Sequence, residues 1–300
     1  AATRVTRPGS LFQPLVRWGL CTAAAAWTGL PAYAARNWLG ETDSFWTTPT
    51  NWSAGVPTTT DEAIFPAAIP GTGGTIMVDL FQTASALTFK NTYELTTGNL
   101  TLGFGNITVA PGKTATISTE LAGFAGITLA ADNGLVGADQ QTGGGTLVLD
   151  GFNTYSGPTT IASGVLSISF GENLGDGSAT NSLMMVGGGT LRSTGAATTL
   201  GVNRTIQILS SGAPSADGAI FDVPDTNVLT VNGMVSGSAN DAIIKTGTGT
   251  LFLDAATAGA ANTFTGNIVM KGGFIQVNDK VANTNPNPPR TLGDLENDLY

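Results

Sequence analysis

Hydrophobic side chains recur at every second position in many short stretches of the chain, each bounded by Gly, Asn, Pro or Ser. A period of two is the pattern of a half-buried β-strand, whereas a helix requires spacings of three and four. Beyond the first 34 residues, no run of ten or more residues has helical spacing. The pattern therefore predicts an all-β protein with strands of about four to six residues. The alternating residues are Ile76, Val78 and Leu80, and the pairs Leu100/Leu102, Ile107/Val109, Ile127/Leu129, Leu147/Leu149, Leu166/Ile168, Ile206/Ile208, Leu229/Val231, Leu251/Leu253 and Ile275/Val277.

Many short strands fit two architectures, a sandwich or barrel and a β-solenoid. Hairpins would need turn dipeptides such as Asn133-Gly134 and Asn232-Gly233, but most corners are Gly-Gly, a single Gly or a Ser/Thr stretch. A right-handed parallel β-helix needs inward columns of Leu, Ile and Val, polar outward positions and glycine at its corners. The 41 Gly and 45 Thr residues suit that geometry. We expect one elongated β-helix over residues 66–277, with coils of about 22 residues.

One long sequence unit occurs twice in the chain. The first copy covers residues 145–169 and the second 245–277, and their Gly-Thr-Leu starts are 104 residues apart. The second copy has five additional residues in the Ala/Gly/Thr stretch 255–261, which is typical of a loop. The characteristic residues are Gly145, Leu147, Leu149, Gly151, Asn153, Tyr155, Gly157 and Gly164 in the first copy, and Gly249, Leu251, Leu253, Asn262, Phe264, Gly266 and Gly273 in the second.

The unit Gly-Thr-Leu-x-Leu-x-Gly-x-Asn-Thr-Tyr-x-Gly resembles the autotransporter-associated β-strand repeat, also called the passenger-associated transport repeat. Residues 245–249 resemble its usual lead-in, and residues 36–65 resemble the start of such secreted chains. The resemblance implies a non-catalytic, secreted or cell-surface β-helical stalk, often the passenger of a type V secretion system. It further implies that the repeat helps the passenger fold during export and that the exposed face acts in adhesion. The partners it implies are an outer-membrane β-barrel translocator in a longer chain and host or surface glycans.

The first 34 residues have the three parts of a secretory signal peptide. Three arginines form a basic start, an uncharged and weakly apolar run follows, and Ala32-Tyr33-Ala34 gives the small-residue exit. A transmembrane helix is the alternative, but it needs about 20 predominantly apolar residues, and this run is interrupted by Gly, Thr and Pro. We therefore expect export to the cell surface, outer membrane or extracellular space, with cleavage between Ala34 and Ala35.

Composition excludes several kinds of chemistry. The chain has no His and one Cys, Cys21, which leaves no Ser-His-Asp triad, intrachain disulfide, or His or Cys metal site. Cleavage after Ala34 would remove this Cys and three of the 12 basic residues, so the mature net charge becomes −12. A chain of that charge does not neutralise phosphates, so we expect no nucleic-acid partner. We also expect no cofactor and no metal site.

The aromatic and amide residues have both structural and ligand-binding interpretations. Asn153 and Asn262 are expected to bond backbone groups at coil corners rather than a ligand, and Tyr155 and Phe264 to cover the adjacent apolar column. Three tryptophans lie within fifteen residues of one another in the stretch 35–65. They can form a sugar-stacking platform, but we expect an N-terminal cap that shields the end of the β-helix from water. These tryptophans are Trp38, Trp46 and Trp52.

Paired carboxylates are the one serious catalytic alternative, since glycoside hydrolysis needs two acids about 5–9.5 Å apart. This alternative predicts a polysaccharide-active β-helix enzyme. No acidic pair recurs with a distinctive motif, and Asp222 and Asp225 are expected in a turn around Pro224. We therefore expect no enzymatic activity. The candidate acids are Asp217, Asp222, Asp225 and Asp241.

Residues 278–300 form a tail rich in Pro and Asp. Within it, Leu292-Gly293-Asp294 repeats Leu174-Gly175-Asp176 of the first copy, which indicates an incomplete next repeat. An outer-membrane barrel would need at least eight alternating strands of about ten residues, and the tail holds none. We therefore expect a fragment or a partial gene model, in which any membrane anchor is missing.

Overall fold

The computed structural model describes residues 34–130, 144–209, 218–255 and 261–278. These residues belong to one compact unit that begins at Tyr33. They form 24 strands and two short 3-10 helices, Pro49–Asn51 and Gly171–Leu174, with no α-helix in the described ranges. The strands are β1 Ala34–Asn37, β2 Asp61–Phe65, β3 Thr75–Met77, β4 Gln82–Phe89, β5 Tyr93–Thr96, β6 Asn99–Val109, β7 Thr114–Ile117, β8 Glu120–Ala122, β9 Ile127–Ala130, β10 Thr146–Leu149, β11 Thr159–Ile161, β12 Val165–Ile168, β13 Leu183–Val186, β14 Thr190–Ser193, β15 Ala197–Leu200, β16 Ile206–Leu209, β17 Ala219–Asp222, β18 Val228–Val231, β19 Val235–Gly237, β20 Ala242–Thr246, β21 Thr250–Leu253, β22 Thr263–Phe264, β23 Asn267–Met270 and β24 Phe274–Val277.

The strands form three parallel sheets. The first has the order β1-β2-β4-β6-β9-β11-β13-β16-β19-β22 with β8 beside β6, the second β23-β20-β17-β14-β12-β10-β7-β5-β3, and the third β15-β18-β21-β24. In each sheet the order follows the sequence, and, except between β1 and β2 and between β8 and β9, the chain passes through at least one strand of another sheet before it returns. Hairpins would give antiparallel neighbours, so this arrangement excludes a sandwich of hairpins for the described strands. The predicted parallel β-helix is confirmed.

Coil length varies while the strand register is kept. Thr146 pairs with Val165, so that coil has 19 residues, and Thr190 pairs with Ile220, so that coil has 30. The longer coil includes the additional strand β15 of the third sheet as well as longer connections, and the strands themselves stay at three to five residues in this part of the chain. The ladder of parallel strands, rather than a fixed repeat length, therefore defines each coil.

The core consists of columns of side chains at equal register positions. Leu147 pairs with Ala115 on one side and Leu166 on the other, and all three side chains are buried. Burying one such side chain contributes about 1.5–3 kcal/mol. The period-two pattern located these positions, with one error: Leu80 is 63% exposed, because β3 ends at Met77 and the alternation ends at Val78.

No helix among the described residues is long and apolar enough to cross a membrane.

An ion pair joins the first two strands. Ala34 of β1 pairs with Asp61 of β2, and the Nε atom of Arg36 lies 3.3 Å from Oδ1 of Asp61. Burial alone would raise the pKa of Asp61. The hydrogen bonds that Thr58 donates through its hydroxyl and its amide, together with the charge of Arg36, outweigh burial and hold that pKa below its ordinary value.

We predict that acid weakens this strand pair. The folded-state pKa of Asp61 is lowered, so its contribution to stability is present above the ordinary carboxyl pKa of about 4 and is lost as the pH falls through the lower folded value. The melting temperature should therefore fall less steeply between pH 5 and pH 2.5 in Asp61→Asn than in the parent chain. Glu41→Gln, at an exposed position, is the control. Equal slopes for Asp61→Asn and the parent would contradict the prediction.

Candidate functional site: the repeat corner

Glycines of the first repeat lie where the backbones of successive coils approach closely. A Cβ atom on Gly151 would lie 2.7 Å from the carbonyl oxygen of Thr119, and one on Gly164 would lie 2.6 Å from that of Gly145. Cβ atoms on Gly145 and Gly157 would also meet backbone atoms of a neighbouring coil. Gly164 has a φ of +71°, which L side chains rarely adopt. These glycines are therefore required by the close approach of backbone to backbone.

Asn153 joins three coils through its buried side chain. Its Oδ1 accepts a hydrogen bond of 2.7 Å from the amide of Leu121 in the preceding coil. Its Nδ2 donates one of 2.5 Å to the carbonyl of Asn173 in the following coil. The amide of Asn153 itself donates to the carbonyl of Glu172. Each of these bonds satisfies a backbone group at a corner where the regular ladder is interrupted.

Asn173 and Asn181 act in the same way one coil later, and both are fully buried. Asn173 accepts from the amides of Ser169 and Phe170 and donates 3.0 Å back to the carbonyl of Gly151. Asn181 donates 2.7 Å to the carbonyl of Gly157. Amide side chains offer a donor and an acceptor together, which suits a corner where both kinds of backbone group need partners.

A buried arginine completes the network. Arg204 donates from Nη1 to the carbonyl of Leu174 at 2.7 Å, and also to the carbonyl and the side-chain oxygen of Asn181. Its Nη2 reaches the carbonyls of Gly171 and Gly175 at 3.4 and 3.5 Å. Burial lowers the pKa of Arg204 despite the opposing influence of Tyr155, Asp176 and Glu172. We call Asn153, Asn173, Asn181 and Arg204 the repeat corner.

Tyr155 packs against the repeat corner. The side chain is buried, and its hydroxyl lies 2.7 Å from that of Thr159. Burial raises its pKa. No ring face is open for ligand stacking, and a Cβ atom on Gly175 would meet the Tyr155 backbone and ring.

The second copy makes part of the same arrangement. Asn262 accepts a hydrogen bond of 2.9 Å from the amide of Val235, and Phe264 is buried in the position equivalent to Tyr155. Lys245 of the lead-in is buried and donates to the carbonyls of Thr246, Gly247 and Gly272, and burial lowers its pKa. Leu251 and Leu253 are buried as Leu147 and Leu149 are, and Cβ atoms on Gly249, Gly266 and Gly273 would meet backbone of the preceding coil.

The two copies lie on different faces of the β-helix. The Gly-Thr-Leu strand is β10 in the second sheet for the first copy, but β21 in the third sheet for the second copy. Likewise β11 lies in the first sheet, whereas its equivalent β23 lies in the second. Between β10 and β20 the chain completes four coils, and β21 follows on the next face. The 104-residue period therefore equals four coils and one face.

The tryptophans are buried at the N-terminal strands. Trp38 and Trp46 pack edge-on against Trp52, with ring centroids 5.0 and 4.8 Å apart, and Nε1 of Trp52 donates 2.7 Å to the carbonyl of Trp46. Below them the Phe65 and Phe89 rings are stacked at 4.6 Å. All three indoles are at most 3% exposed, so none offers a face to a sugar.

Two of the carboxylate candidates, Asp222 and Asp241, have structural partners for their side chains. Asp222 ends β17 rather than lying in a turn; Arg192 Nε donates to its Oδ2 at 2.7 Å and the Thr246 hydroxyl to its Oδ1. Asp241 is buried and accepts from the amide of Ser238. Asp225 has a φ of +54°, and its carbonyl accepts from the Thr248 hydroxyl. Asp217 lies outside the described residues.

Several other sequence predictions also lie outside the described residues. They are the signal sequence up to residue 33, the Asn133-Gly134 turn, the centre of the loop 255–261, and the tail beyond residue 278. Ala34 and Ala35 are described, and they are the first two residues of β1.

Sequence reasoning missed most of the repeat corner. Asn173, Asn181 and Arg204 were not selected, because single Asn and Arg residues are ordinarily exposed. One signal could have found Asn173: the Gly-x-Asn spacing of Gly151 and Asn153 recurs in Gly171 and Asn173. Asn181 follows a stretch with two glycines, Gly175 and Gly177. Arg204 offers no such signal, because its partners are backbone carbonyls.

The chain matches a known repeat and a known adhesin. The passenger-associated-transport-repeat model matches residues 140–168 and 243–277. The chain is 33% identical over 156 residues to the adhesin BmaC autotransporter of Brucella suis biovar 1 (strain 1330), a match that covers 51% of this chain and 4% of that protein. This chain thus corresponds to a small part of that relative's length. No solved structure gives a significant match. These findings confirm the resemblance and indicate export to the cell surface or outer membrane.

We predict that Gly164→Ala destabilises the protein more than Gly112→Ala. The two glycines have φ values of +71° and +70°, so both variants acquire the left-handed strain of about 1–2 kcal/mol. Only at Gly164 does the added methyl meet backbone, which costs about 1–3 kcal/mol more. Chemical denaturation measures both free energies of unfolding. Equal losses would show that close coil approach is not what requires Gly164.

We predict that Arg204→Met costs about 2–4 kcal/mol of unfolding free energy, because the carbonyls of Leu174 and Asn181 lose a buried donor. The same substitution at Arg192, a partly exposed residue paired with Asp222, should cost less than about 1 kcal/mol. Urea denaturation of the two variants makes the comparison. A loss at Arg192 as large as that at Arg204 would contradict this account of the corner.

Proposed function

We propose that this chain, which carries two passenger-associated transport repeats on one parallel β-helix, is a non-catalytic stalk segment of an autotransporter passenger. In this proposal each repeat is a template that fixes the corner of the next coil as the chain emerges from the membrane. The main support is Asn153, whose side chain bonds the coil before it and the coil after it.

Folding by successive coils suits export of an unfolded chain. Each new coil gains backbone pairing and apolar burial on the coil already formed, and it needs no contact with distant parts of the sequence. The predicted mature chain has no Cys, so no disulfide would close a loop before passage through a narrow pore. The partner required for passage would be an outer-membrane translocator domain in the full protein.

In the same proposal, the N-terminal tryptophans cap the first end of the β-helix. A β-helix exposes its apolar interior at an unprotected end, and terminal units need a distinct cap. Trp46 and Trp52 contact Phe65 of the Phe65–Phe89 stack, and Trp38 packs on Trp52, which supports a capping role for residues 35–65.

An adhesive role is supported by the match to an adhesin and by exposed aromatic rings near the repeat corner. Phe152 and Phe170 are 68% and 52% exposed, with ring centroids 6.3 Å apart. Flat apolar rings of this kind can pack on the apolar face of a sugar or on an apolar protein surface. Host or surface glycans are therefore the ligand class that we propose for the exposed face.

The export role can be tested in a full passenger that contains this segment. Deleting residues 145–169 should lower the amount of protease-resistant passenger on the cell surface, because the corner of the following coil loses its template. Asn153→Ala with Asn173→Ala should lower it in the same direction. Asn203→Ala, at an exposed position, is the matched control. Surface amount and protease resistance that stay at parental levels in the deletion would refute the transport role.

An assay on the same cells distinguishes the proposed non-catalytic stalk from the alternative of a polysaccharide-active enzyme. Release of reducing sugar from a polysaccharide panel, abolished by Asp222→Ala or Asp225→Ala, would establish an enzyme. We expect no such release, because Asp222 is already engaged by Arg192 and Thr246.

A further inference from the structure

The exposed rings of Phe152 and Phe170 lie on the outer side of the repeat corner, in successive coils. Buried and exposed residues alternate along this part of the chain, so that Gly151 and Asn153 are buried while Phe152 faces solvent. The amide of Asn153 donates to the carbonyl of Glu172, which fixes how the two coils align. The planes of the two rings are inclined by 20°. The rings therefore form one apolar surface that bridges two coils.

Carboxylates stand beside this aromatic pair in three successive coils. Asp150 and Glu172 are both exposed, and each is two residues from one of the rings. In the coil before them, Oε1 of Glu120 accepts a hydrogen bond of 2.6 Å from the hydroxyl of Thr154. That bond holds the Glu120 carboxylate next to the segment that carries Phe152. The apolar surface is thus accompanied by three negatively charged side chains.

The same segments carry no positive charge of their own. Residues 118–124, 150–156 and 169–177 include four acidic residues and no Lys or Arg. Arg204 is the cation that packs against them, but it is 3% exposed and its guanidinium donates to the carbonyls of Leu174 and Gly171. A ligand at the outer surface therefore meets aromatic rings and carboxylates, and the guanidinium lies beneath them.

This combination selects the charge of a ligand. An aromatic face attracts cations as well as the apolar face of a sugar, and carboxylates attract cations and repel anions. An exposed ring alone would not make that selection. Phe274, for example, is 65% exposed, but it follows Lys271 by three residues.

We propose that the surface formed by Phe152 and Phe170 binds glycans that carry protonated amino groups, and that it rejects sulfated and carboxylated glycans. The sugar rings pack on the two phenylalanines, and their amino groups pair with the carboxylates of Glu120, Asp150 and Glu172. This inference rests on the glycan-binding part of the proposed function and narrows it to one chemical class.

Calorimetric titration of the complete chain tests this with two hexasaccharides that share a sugar backbone, one of glucosamine and one of N-acetylglucosamine. A buffer of about pH 5.5 keeps the amino groups of glucosamine protonated. At low salt we expect the glucosamine hexamer to bind at least about tenfold more tightly, because acetylation removes the positive charge. The ratio of the two affinities should fall towards one as added salt screens the carboxylates. A hexasaccharide of heparin, which is sulfated, should bind more weakly than either.

Two double variants separate the contribution of the rings from that of the charges. Phe152→Ala with Phe170→Ala should weaken binding of both hexamers at least about tenfold, because both need the apolar surface. Glu120→Gln with Glu172→Gln should remove most of the preference for glucosamine and leave the affinity for N-acetylglucosamine unchanged, because Gln keeps the shape of Glu without its charge. Melting temperatures equal to that of the parent show that both variants are folded.

Phe274→Ala and Glu41→Gln are the matched controls, because both residues are exposed and lie outside the three corner segments. Both variants should bind as the parent does. If no hexamer binds the parent, the glycan-binding role fails together with this inference. If N-acetylglucosamine or heparin binds as tightly as glucosamine, the glycan-binding role stands and this inference alone is refuted. Tighter binding of a lysine hexapeptide than of the glucosamine hexamer would also refute it, since the surface would then serve a basic protein segment.

Discussion

Close approach of one backbone to the next governs this structure. Parallel strands on every face must pair at the usual spacing of about 4.8 Å, and the corners between them must let the coils approach equally closely. Side chains are tolerated on the strands, where they alternate inward and outward, but many corner positions leave no room for a Cβ atom. Gly105, for example, faces the carbonyl of Gly126, and Gly126 faces Pro158 in the following coil. Many of the glycines among the described residues follow from this constraint.

Corners also interrupt the ladder, so their backbone groups need other partners. Asn side chains provide them in the first repeat, and Arg204 provides donors where several carbonyls converge. Such buried polar groups are favourable only when they are nearly all satisfied. This requirement ties a corner to both of its neighbours and makes it the most specific part of a coil, whereas the Leu and Ile columns tolerate exchange of one aliphatic residue for another.

The sequence predicted the inward positions and the parallel β-helix, because period-two alternation and glycine at corners are local properties. It also indicated that Asn153, Tyr155 and the three tryptophans would be structural. It did not predict Arg204, whose partners come from residues 23 to 33 positions earlier in the chain. It misplaced Leu80 and Asp222, because the ends of short strands depend on pairing with the neighbouring coil rather than on hydropathy. The same limitation hid the change of face between the two repeat copies.

Because the two repeat copies lie on different faces, the length of chain between two coils determines how the later coil is oriented about the β-helix axis. A unit of four coils and one face, inserted or removed as a block, would turn everything beyond it by about one third of a revolution about the β-helix axis, without altering a single downstream contact. Three such insertions would restore the original orientation of the downstream coils. Recombination between repeat copies could thus redirect a distal surface patch towards or away from a neighbouring cell while every coil remained correctly folded.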